Sequence, residues 1–360
     1  MTAPVSVALS MLTFVPDGMG GSETYALELV KALDDSPQVT STTLVGSAAA
    51  GRSGARNEIV VEGVGGSARS VGRVAALVRS GGPRRLALRA LYRQHDLVHV
   101  PFTVAVPRPP RGIPLVQTLL DVQHLDLPHL FSPAERAYRH WFYDRTARHA
   151  DVVITISDFC KQRIVARLGI DPARIIVAPL GVRGVELGAL PQDREAFLLY
   201  PARGWAHKNH ALLVEGVRLA RREQPRLRLV LTGGGLEGLG PLPDWVEVRG
   251  LVPSQELQRL YATAQALVFP SLYEGFGLPP LEAMARGCPV VTSTAGALPE
   301  TCGDAAVYFE PSDPHDLARA ITDARGREVE LSRAGAARAS DFTWQRCAQA
   351  HERAYAAAAS

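Results

Sequence analysis

Short apolar runs alternate with amphipathic stretches along this chain, and each half of the chain contains its own series of them. Apolar runs of about four to eight residues are typical of strands that are buried on both faces of a sheet. The amphipathic stretches between them supply the helices that connect parallel strands. The pattern therefore predicts an α/β fold built from parallel sheets with crossover helices.

The individual elements follow from this alternation. In the first half, strands are predicted at residues 5–14, 39–45, 58–62, 97–101, 114–119, 152–156 and 175–178. In the second half, strands are predicted at 197–200, 227–231, 245–248, 266–269, 290–292 and 307–309. Helices are predicted at 22–33, 71–92, 133–149, 158–168 and 344–358.

The length of 360 residues is large for one hydrophobic core and ordinary for two. Between residues 181 and 195 the pattern gives way to Gly, Pro and charged residues, which are typical of a linker. We predict a first domain at 1–185, a linker at 186–195, a second domain at 196–342 and a terminal helix at 343–360.

Composition excludes several classes of protein. A hydrophobic content of 46% and a charged content of 21% are those of a globular protein, not of a disordered or fibrous one. The net charge of +3 is too small to indicate nucleic-acid binding. The N-terminus lacks a basic leader and no apolar run is long enough to span a bilayer, so a cytoplasmic protein is expected.

The segment 270–283, with the sequence PSLYEGFGLPPLEA, carries the strongest functional signal. Glu274 lies in the loop after a predicted strand, and Glu282 lies about one turn into the next helix. Gly275 and Gly277 let a ligand approach the backbone closely. Free N–H groups bind phosphate or sugar oxygens, and carboxylates accept hydrogen bonds from hydroxyls. The segment is therefore typical of a nucleotide-sugar site, whereas an isolated glutamate pair at this spacing would indicate a solvated loop.

This segment resembles the signature of the retaining glycosyltransferases of family 4, which have the GT-B fold. The resemblance continues through residues 287–293, 296–300 and 303–306. It implies two Rossmann-like doubly wound domains that face a cleft, with the acceptor bound by the first domain and the nucleotide sugar by the second. It also implies a C-terminal helix that crosses back to the first domain.

The same resemblance assigns roles within the signature. It implies that Glu282 binds the ribose hydroxyls and that Glu274 faces the donor sugar. The backbone amides that would line the sugar and phosphate site are those of Gly275, Phe276, Gly277 and Leu278.

A glycine-rich turn follows the first predicted strand, at residues 16–24. It opens a helix that Ser22 is predicted to cap, so free N–H groups and the positive end of the helix dipole would face a ligand. The turn does not match the G-x-G-x-x-G dinucleotide motif. Many such turns are glycine-rich for steric reasons alone. The resemblance places Gly20 and Gly21 beside the donor phosphate and the acceptor.

A cationic loop follows the first strand of the second domain, where Arg203 and Lys208 are found. Cations fixed beside a departing diphosphate stabilise its extra negative charge without proton transfer. The alternative is a pair of solvated loop cations, but the adjacent His-Lys-Asn segment also resembles the family. Gly233 is predicted to lie near the nucleotide or to form a simple turn, and Val252 to border the base through backbone atoms.

No metal or other cofactor is predicted, and the nucleotide sugar is expected as co-substrate. The chain has no Asp-x-Asp triplet, and the acidic groups at 34–35 and 313–316 fall at predicted helix ends, where capping is favoured. The four cysteines lack paired metal spacing and are predicted to be reduced structural thiols.

One region departs from the family pattern. Where relatives commonly have a His-Asp pair whose histidine contacts the donor sugar, this chain has Leu120 and Asp121. His124 is expected either to supply the missing contact or to be structural, and Asp121 either to orient it or to cap the loop. Ser157 is predicted as the N-cap of the next helix.

A basic block spans residues 69–93, with seven arginines and no acidic residue. A solvated helix with loops is the favoured interpretation. The alternative is attraction to a phosphorylated acceptor or to anionic lipid, with peripheral association at the inner membrane face.

Taken together, these features predict a retaining glycosyltransferase that moves a hexose from GDP-mannose or a UDP-hexose to the hydroxyl of a glycan, lipid-linked or small-molecule acceptor. No carboxylate is placed as a covalent nucleophile, so metal-independent front-face attack is expected. The alternatives are a nucleotide-sugar 2-epimerase of similar fold and a catalytically silent nucleotide-sugar-binding protein. The sequence predicts no oligomeric state.

Overall fold

The computed structural model describes residues 3–62, 83–105, 107–184 and 194–360. The chain divides into two compact units. The first unit comprises Met1–Gly181 and Trp344–Ser360, and the second comprises Val182–Thr343. Of the predicted linker at 186–195, only Arg194 and Glu195 lie among the described residues. The predicted helix 71–92 lies outside them up to residue 82.

The first unit contains a seven-stranded sheet with the order β3-β2-β1-β4-β5-β6-β7. All neighbouring strands are parallel, because each connection crosses over through helical segments or loops. The strands are β1 (Val5–Met11), β2 (Val39–Gly46), β3 (Glu58–Val61), β4 (Leu97–Val100), β5 (Leu115–Thr118), β6 (Val152–Thr155) and β7 (Ile175–Val177).

The second unit contains a six-stranded parallel sheet with the order β10-β9-β8-β11-β12-β13. Its strands are β8 (Glu195–Pro201), β9 (Arg228–Thr232), β10 (Val246–Gly250), β11 (Ala264–Phe269), β12 (Val290–Ser293) and β13 (Val307–Phe309). Every predicted strand of both halves is confirmed, with shifts of a few residues at the ends.

The strand order reverses once in each sheet, between β1 and β4 in the first and between β8 and β11 in the second. Neighbouring connections run to opposite sides at such a reversal, which opens a crevice at the carboxyl ends of the two strands. Both units are therefore Rossmann-like, and the predicted fold class is confirmed. The loops after β8 and β11 contain Lys208 and Glu274.

The helices connect the strands and cover the sheets. Those of the first unit are Gly21–Asp34, Pro83–Tyr92, Gln123–Asp126, Pro133–Arg139, Arg145–His149, Asp158–Leu168 and, as the C-terminal helix, Trp344–Ala359. Those of the second unit are His210–Ala220, Ser254–Thr263, Leu278–Ala285, Leu298–Cys302, Pro314–Gly326 and Glu328–Ser340. The predicted N-cap is confirmed at Ser157, whose hydroxyl accepts the N–H of Cys160 at 3.1 Å.

The single helix predicted at 133–149 is interrupted by a π-helical turn at His140–Asp144. A π turn has one more residue than an α turn, so it shifts the faces of the helix on either side. Asp144 consequently lies inside the unit, whereas Trp141 is 57% exposed. Periodicity predicted the helix but not this insertion.

The C-terminal helix packs on the first sheet through a fully buried polar network. The hydroxyl of Tyr25 bonds Thr118 Oγ1 at 2.7 Å and His351 Nε2 at 2.9 Å. His99 bonds Tyr355 through Nδ1 and Thr118 through Nε2, both at 2.8 Å. Because each of these groups has a partner, burying them is tolerated and the helix is held in one register.

All four cysteines are buried and free, as expected for structural thiols. Burial raises the pKa of Cys288 to about 11 and those of Cys302 and Cys347 to about 12. Thiols of this kind are inert towards oxidants and electrophiles, because the thiolate is the reactive form.

Part of the basic block lies outside the described residues, which resume at residue 83. In the described part, Leu88 and Tyr92 are buried in the core of the first unit, while Leu86 is 70% exposed. Neither interpretation of the block is tested by this arrangement. Across the described ranges, no helix combines the length and apolar character needed to cross a membrane.

The buried network predicts an acid-sensitive fold. Burial lowers the pKa of His351 from 6.5 to about 4, so the folded state binds fewer protons than the unfolded state between these values. The stability contributed by neutral His351 is therefore lost as the pH falls, by about 2 kcal/mol between pH 7 and pH 5. In His351→Gln, urea unfolding should show a correspondingly smaller difference between these pH values. The exposed His149→Gln should retain the wild-type difference, and an equal difference in both variants would contradict the assignment.

Candidate functional site

An ion pair joins the two loops at the strand reversal of the second sheet. The Nζ atom of Lys208 lies 2.5 Å from Oε1 of Glu274, and the side chains are only 14% and 13% exposed. The same Nζ atom lies 5.3 Å from the ring centre of Phe269. Partial removal of water makes this pair stronger than a surface ion pair, and separating the charges leaves each without its partner.

The loop that contains Glu274 is held by a close backbone contact. Gly296 has φ 63°, and a Cβ atom at this position would overlap the backbone of Glu274. The N–H of Ala297 donates to the carbonyl of Glu274 at 3.0 Å. A glycine is therefore needed at position 296 to keep the Glu274 loop in place.

The helix that contains Glu282 begins at Leu278, with Gly277 as its N-cap at φ 103°. Because prolines lack an N–H group, Leu278 supplies the only backbone donor among the first three helical residues. The ring of Phe276 is buried against Phe342, with ring centres 5.7 Å apart. Phe276 can therefore offer a ligand only backbone atoms.

Glu282 has an unusual protonation equilibrium. It is half-buried, and its Oε2 atom accepts a hydrogen bond from the hydroxyl of Tyr261 at 3.0 Å. Burial raises the pKa of Glu282 from 4.5 to about 7, although Tyr261 and Arg286 both act to lower it. Hydroxyl groups of a ligand that donate to this carboxylate would favour its charged form.

Arg203 and Gly233 lie where the loops after β8 and β9 pack against each other. A Cβ atom on Gly233, which has φ 130°, would overlap the carbonyl of Ala202. The N–H of Gly204 donates to the carbonyl of Gly234 at 3.1 Å. The guanidinium of Arg203 lies 5.5 Å from the ring centre of Trp205, which is 55% exposed. Gly233 thus has a steric role in bringing the two loops together.

Val252 lies after β10, in the segment predicted to border a base. Gly250 in this segment adopts φ 63°. The neighbouring Arg249 side chain is held by Glu247 and Glu256, each at 2.7 Å. The guanidinium of Arg249 is therefore held by carboxylates of its own unit.

The glycine-rich turn in the first unit differs from the prediction at its cap. The helix begins at Gly21, with Gly20 at φ 62° as its N-cap, and the hydroxyl of Ser22 donates to Met19 O at 2.9 Å. Ser22 is therefore not the cap. The carboxylate of Glu23 instead accepts the N–H groups of Asp17 at 2.9 Å and Met19 at 3.2 Å. A first-turn carboxylate is favoured by the helix dipole, and here it orders the turn.

His124 has an internal partner. It lies in the short helix Gln123–Asp126 and is 2% exposed, with Nε2 2.9 Å from Oδ1 of the buried Asp144. Asp121 does not orient it, because its Oδ1 atom accepts the N–H of Gln123 at 3.0 Å and so caps the loop. The geometry favours the structural interpretation of His124 over the donor contact.

Three residues of the second unit support the site but receive no role from the sequence. Tyr261 bonds Glu282, Tyr200 bonds the carbonyl of Lys208, and Asn209 bonds the carbonyls of two loops. Asn209 had a local signal, since it adjoins Lys208 in the His-Lys-Asn segment. The two tyrosines had none, because each lies on an element of its own and meets the site only after folding.

Among the His, Cys, Asp and Glu side chains of the described residues, no group of three or more is arranged to hold a metal ion.

Both units match known protein families. Residues 19–183 match the family model described as "Glycosyltransferase Family 4", and residues 195–325 match the model described as "Glycosyl transferases group 1". The two matches together extend over most of both sheets.

Related proteins support the same assignment. The chain is 29% identical to O-antigen chain mannosyltransferase B of Escherichia coli over 259 residues, which are 64% of this chain and 67% of the relative. It is 31% identical to the D-inositol 3-phosphate glycosyltransferase of Geodermatophilus obscurus over 306 residues, or 74% of this chain and 67% of the relative. Overall it spans 55–67% of the length of the first three curated relatives.

Among solved structures, the fold is similar to that of sucrose-phosphate synthase from Thermosynechococcus elongatus. The TM-score is 0.77 at 21% identity, with 98% of both chains covered. The similarity supports a GT-B fold.

The raised pKa of Glu282 predicts that this residue destabilises the ligand-free protein. The folded state binds more protons than the unfolded state between pH 4.5 and about 7, so stability falls as the pH rises through this range. Glu282→Gln removes the charge, and the free energy of unfolding should rise by up to about 3 kcal/mol at pH 8. The gain should be small near pH 5. Thermal unfolding at both pH values measures it, with the exposed Glu237→Gln as control; a destabilised variant at pH 8 would contradict it.

Proposed function

The chain belongs to glycosyltransferase family 4, and from this membership we propose that it transfers a hexose from a nucleoside diphosphate sugar to an acceptor hydroxyl with retention of the anomeric configuration. The observation that carries the proposal is the Lys208–Glu274 ion pair at the strand reversal of the second sheet. The pair lies at the position in such a sheet where nucleotides bind, which supports Lys208 as the cation for the diphosphate and Glu274 as the carboxylate for the sugar.

The charged residues have different tasks. Lys208, together with Arg203, stabilises the charge that develops on the departing diphosphate. Glu274 accepts hydrogen bonds from the hydroxyls of the donor hexose. Glu282 binds the ribose hydroxyls. Burial raises the pKa of this carboxylate to about 7, and hydrogen bonds that the hydroxyls donate to it stabilise its charged form.

The backbone completes the donor site. The amides of Gly275, Phe276, Gly277 and Leu278 face the sugar and phosphate, Gly233 lies near the nucleotide, and Val252 borders the base. In the first unit, the turn that contains Gly20 and Gly21 is proposed as an anion-binding site, because it opens the helix Gly21–Asp34.

The proposed reaction is front-face displacement. The bond between the anomeric carbon and the acceptor oxygen forms on the face from which the diphosphate leaves. The acceptor proton passes to the leaving phosphate oxygen, so no separate base is needed. Glu274 supports the positive charge that develops on the sugar, and its contact with Lys208 argues against a role as covalent nucleophile. The charges of Lys208 and Arg203 make a metal ion unnecessary.

The favoured donor is GDP-mannose, with a UDP-hexose as the alternative. The O-antigen chain mannosyltransferase among the relatives supports this choice. The acceptor is a glycan, a lipid-linked sugar or a small molecule.

A donor panel tests the proposal. Thermal shifts with GDP-mannose, UDP-glucose, UDP-galactose and the free nucleotides identify the base, and hydrolysis or transfer of the best ligand is then followed. Lys208→Met should lower turnover by about 10²- to 10³-fold, because it removes a charge that stabilises the leaving group. Lys31→Met, which removes an exposed lysine of the first unit, should leave turnover unchanged.

The product decides between the candidate activities. Proton NMR of the first-formed sugar should show the anomeric configuration of the donor. Inversion would contradict the retaining mechanism, and an epimerised nucleotide sugar formed without acceptor would identify a 2-epimerase. Binding without any turnover in the wild type would identify a silent binding protein.

The ion pair predicts a distinctive effect of Glu274→Gln. The carboxylate competes with the diphosphate for Lys208, so its neutralisation should tighten the binding of the free nucleoside diphosphate by about fivefold, or ~1 kcal/mol. Turnover of the nucleotide sugar should fall, since the sugar contact is weakened. Isothermal titration with GDP and UDP measures the affinity, and Lys208→Met should weaken it. Weaker nucleotide binding by Glu274→Gln would show that the carboxylate does not compete.

A further inference from the structure

Asn209 has a backbone conformation that is uncommon for residues other than glycine. With φ 57° and ψ 42° it is left-handed, and in the described part of the chain it shares positive φ with only Asp17 and Thr103 among non-glycine residues. It joins the 3₁₀ turn Ala206–Lys208 to the helix His210–Ala220. Asparagine tolerates this region better than most residues, but at some cost in energy. A tertiary contact that repays this cost is therefore expected.

The side-chain amide makes that contact at two other strand ends. Its Nδ2 atom donates to the carbonyl of Pro270 at 3.3 Å and to that of Pro311 at 2.9 Å. Pro270 directly follows β11, and Pro311 lies two residues beyond the end of β13. The usual alternative for an asparagine in this position is helix capping, but its side chain makes no capping bond. The amide thus links the loop after β8 to the ends of two other strands.

Further hydrogen bonds join the same loops. The hydroxyl of the buried Tyr200 donates to the carbonyl of Lys208 at 2.7 Å. The N–H of Leu272, which lies two residues before Glu274, donates to the carbonyl of His207 at 2.8 Å. The backbone beside Lys208 and the loop that leads to Glu274 are therefore one hydrogen-bonded unit, with Asn209 at its centre.

We propose that Asn209 is a positioning residue for hexosyl transfer, which fixes the Lys208 ammonium group relative to the Glu274 loop through its bonds to Pro270 and Pro311. The proposal rests on the proposed function. A donor diphosphate and its hexose must meet the cation and the carboxylate at a set separation. Small displacements of such groups weaken transition-state stabilisation more than ground-state binding.

Two substitutions distinguish the effect of the Asn209 side-chain amide from that of its backbone conformation. Asn209→Gly retains easy access to the left-handed conformation and removes the amide. Asn209→Asp retains the shape, but sets carboxylate oxygens against the carbonyls of Pro270 and Pro311. The control is Arg194→Ala, which removes a guanidinium that bonds Ala262 O at 3.2 Å and Ala264 O at 2.9 Å elsewhere in the same unit. It should lower the melting temperature without changing turnover per folded molecule.

The readout is kcat per nucleotide-binding site, with sites counted by titration with the nucleoside diphosphate. Asn209→Gly should lower this kcat by about tenfold or more, and Asn209→Asp at least as much, because Lys208 is displaced. The dissociation constant of the nucleotide should stay within about threefold, since Glu282 and the Gly233 loop are untouched. In a Lys208→Met background, Asn209→Gly should have little further effect, because the group it positions is already gone.

The outcomes separate this inference from the proposed function. Normal kcat per site in Asn209→Gly, or an equal loss with and without Lys208, would overturn the positioning role while leaving the transferase assignment intact. Loss of melting temperature alone, as expected for Arg194→Ala, would assign Asn209 a purely structural role. A wild-type chain that neither transfers nor hydrolyses any hexose would overturn both.

Discussion

The reversal of strand order between β8 and β11 is the constraint on which the candidate site depends. Because the connections on either side of it diverge, the loops after these strands are not covered by a crossover helix. Lys208 and Glu274 lie in these two loops and reach each other across the reversal. In a sheet of the same strands in another order, these residues would not meet.

One charged group of the site, Glu282, does not favour the stability of the ligand-free protein. Glu282 is held where burial raises its pKa to about 7, and the Lys208–Glu274 pair is largely removed from water. Under the proposed function, a nucleotide sugar would offer hydroxyls to Glu282 and a diphosphate to Lys208. Such sites are typically less stable than an apolar alternative, and binding of the ligand compensates for the difference. The neutral, fully satisfied network beneath the C-terminal helix shows the opposite arrangement, in which polar groups serve stability.

Several features of the site could be predicted because their signals are local. The glycines near Glu274, the prolines that open its following helix and the apolar strand before it lie within one short segment. A competing contact made one prediction wrong and decided between two interpretations that the sequence had left open. Glu23 orders the turn that Ser22 was expected to cap, and His124 is turned inward by Asp144. A π turn inside a predicted helix made this second contact possible, and helical periodicity carries no signal for it.

The sequence by itself determined the two parallel sheets, the positions of their strands and the segments that carry the candidate site. These follow from the spacing of apolar residues and from glycines and prolines, which act on their near neighbours. Only the tertiary structure decided which of these segments touch. Lys208 and Glu274 are 66 positions apart, and Asn209 lies 61 and 102 positions from the carbonyls that it binds. Contacts at such separations depend on strand order and loop path, which are set by the packing of the whole unit.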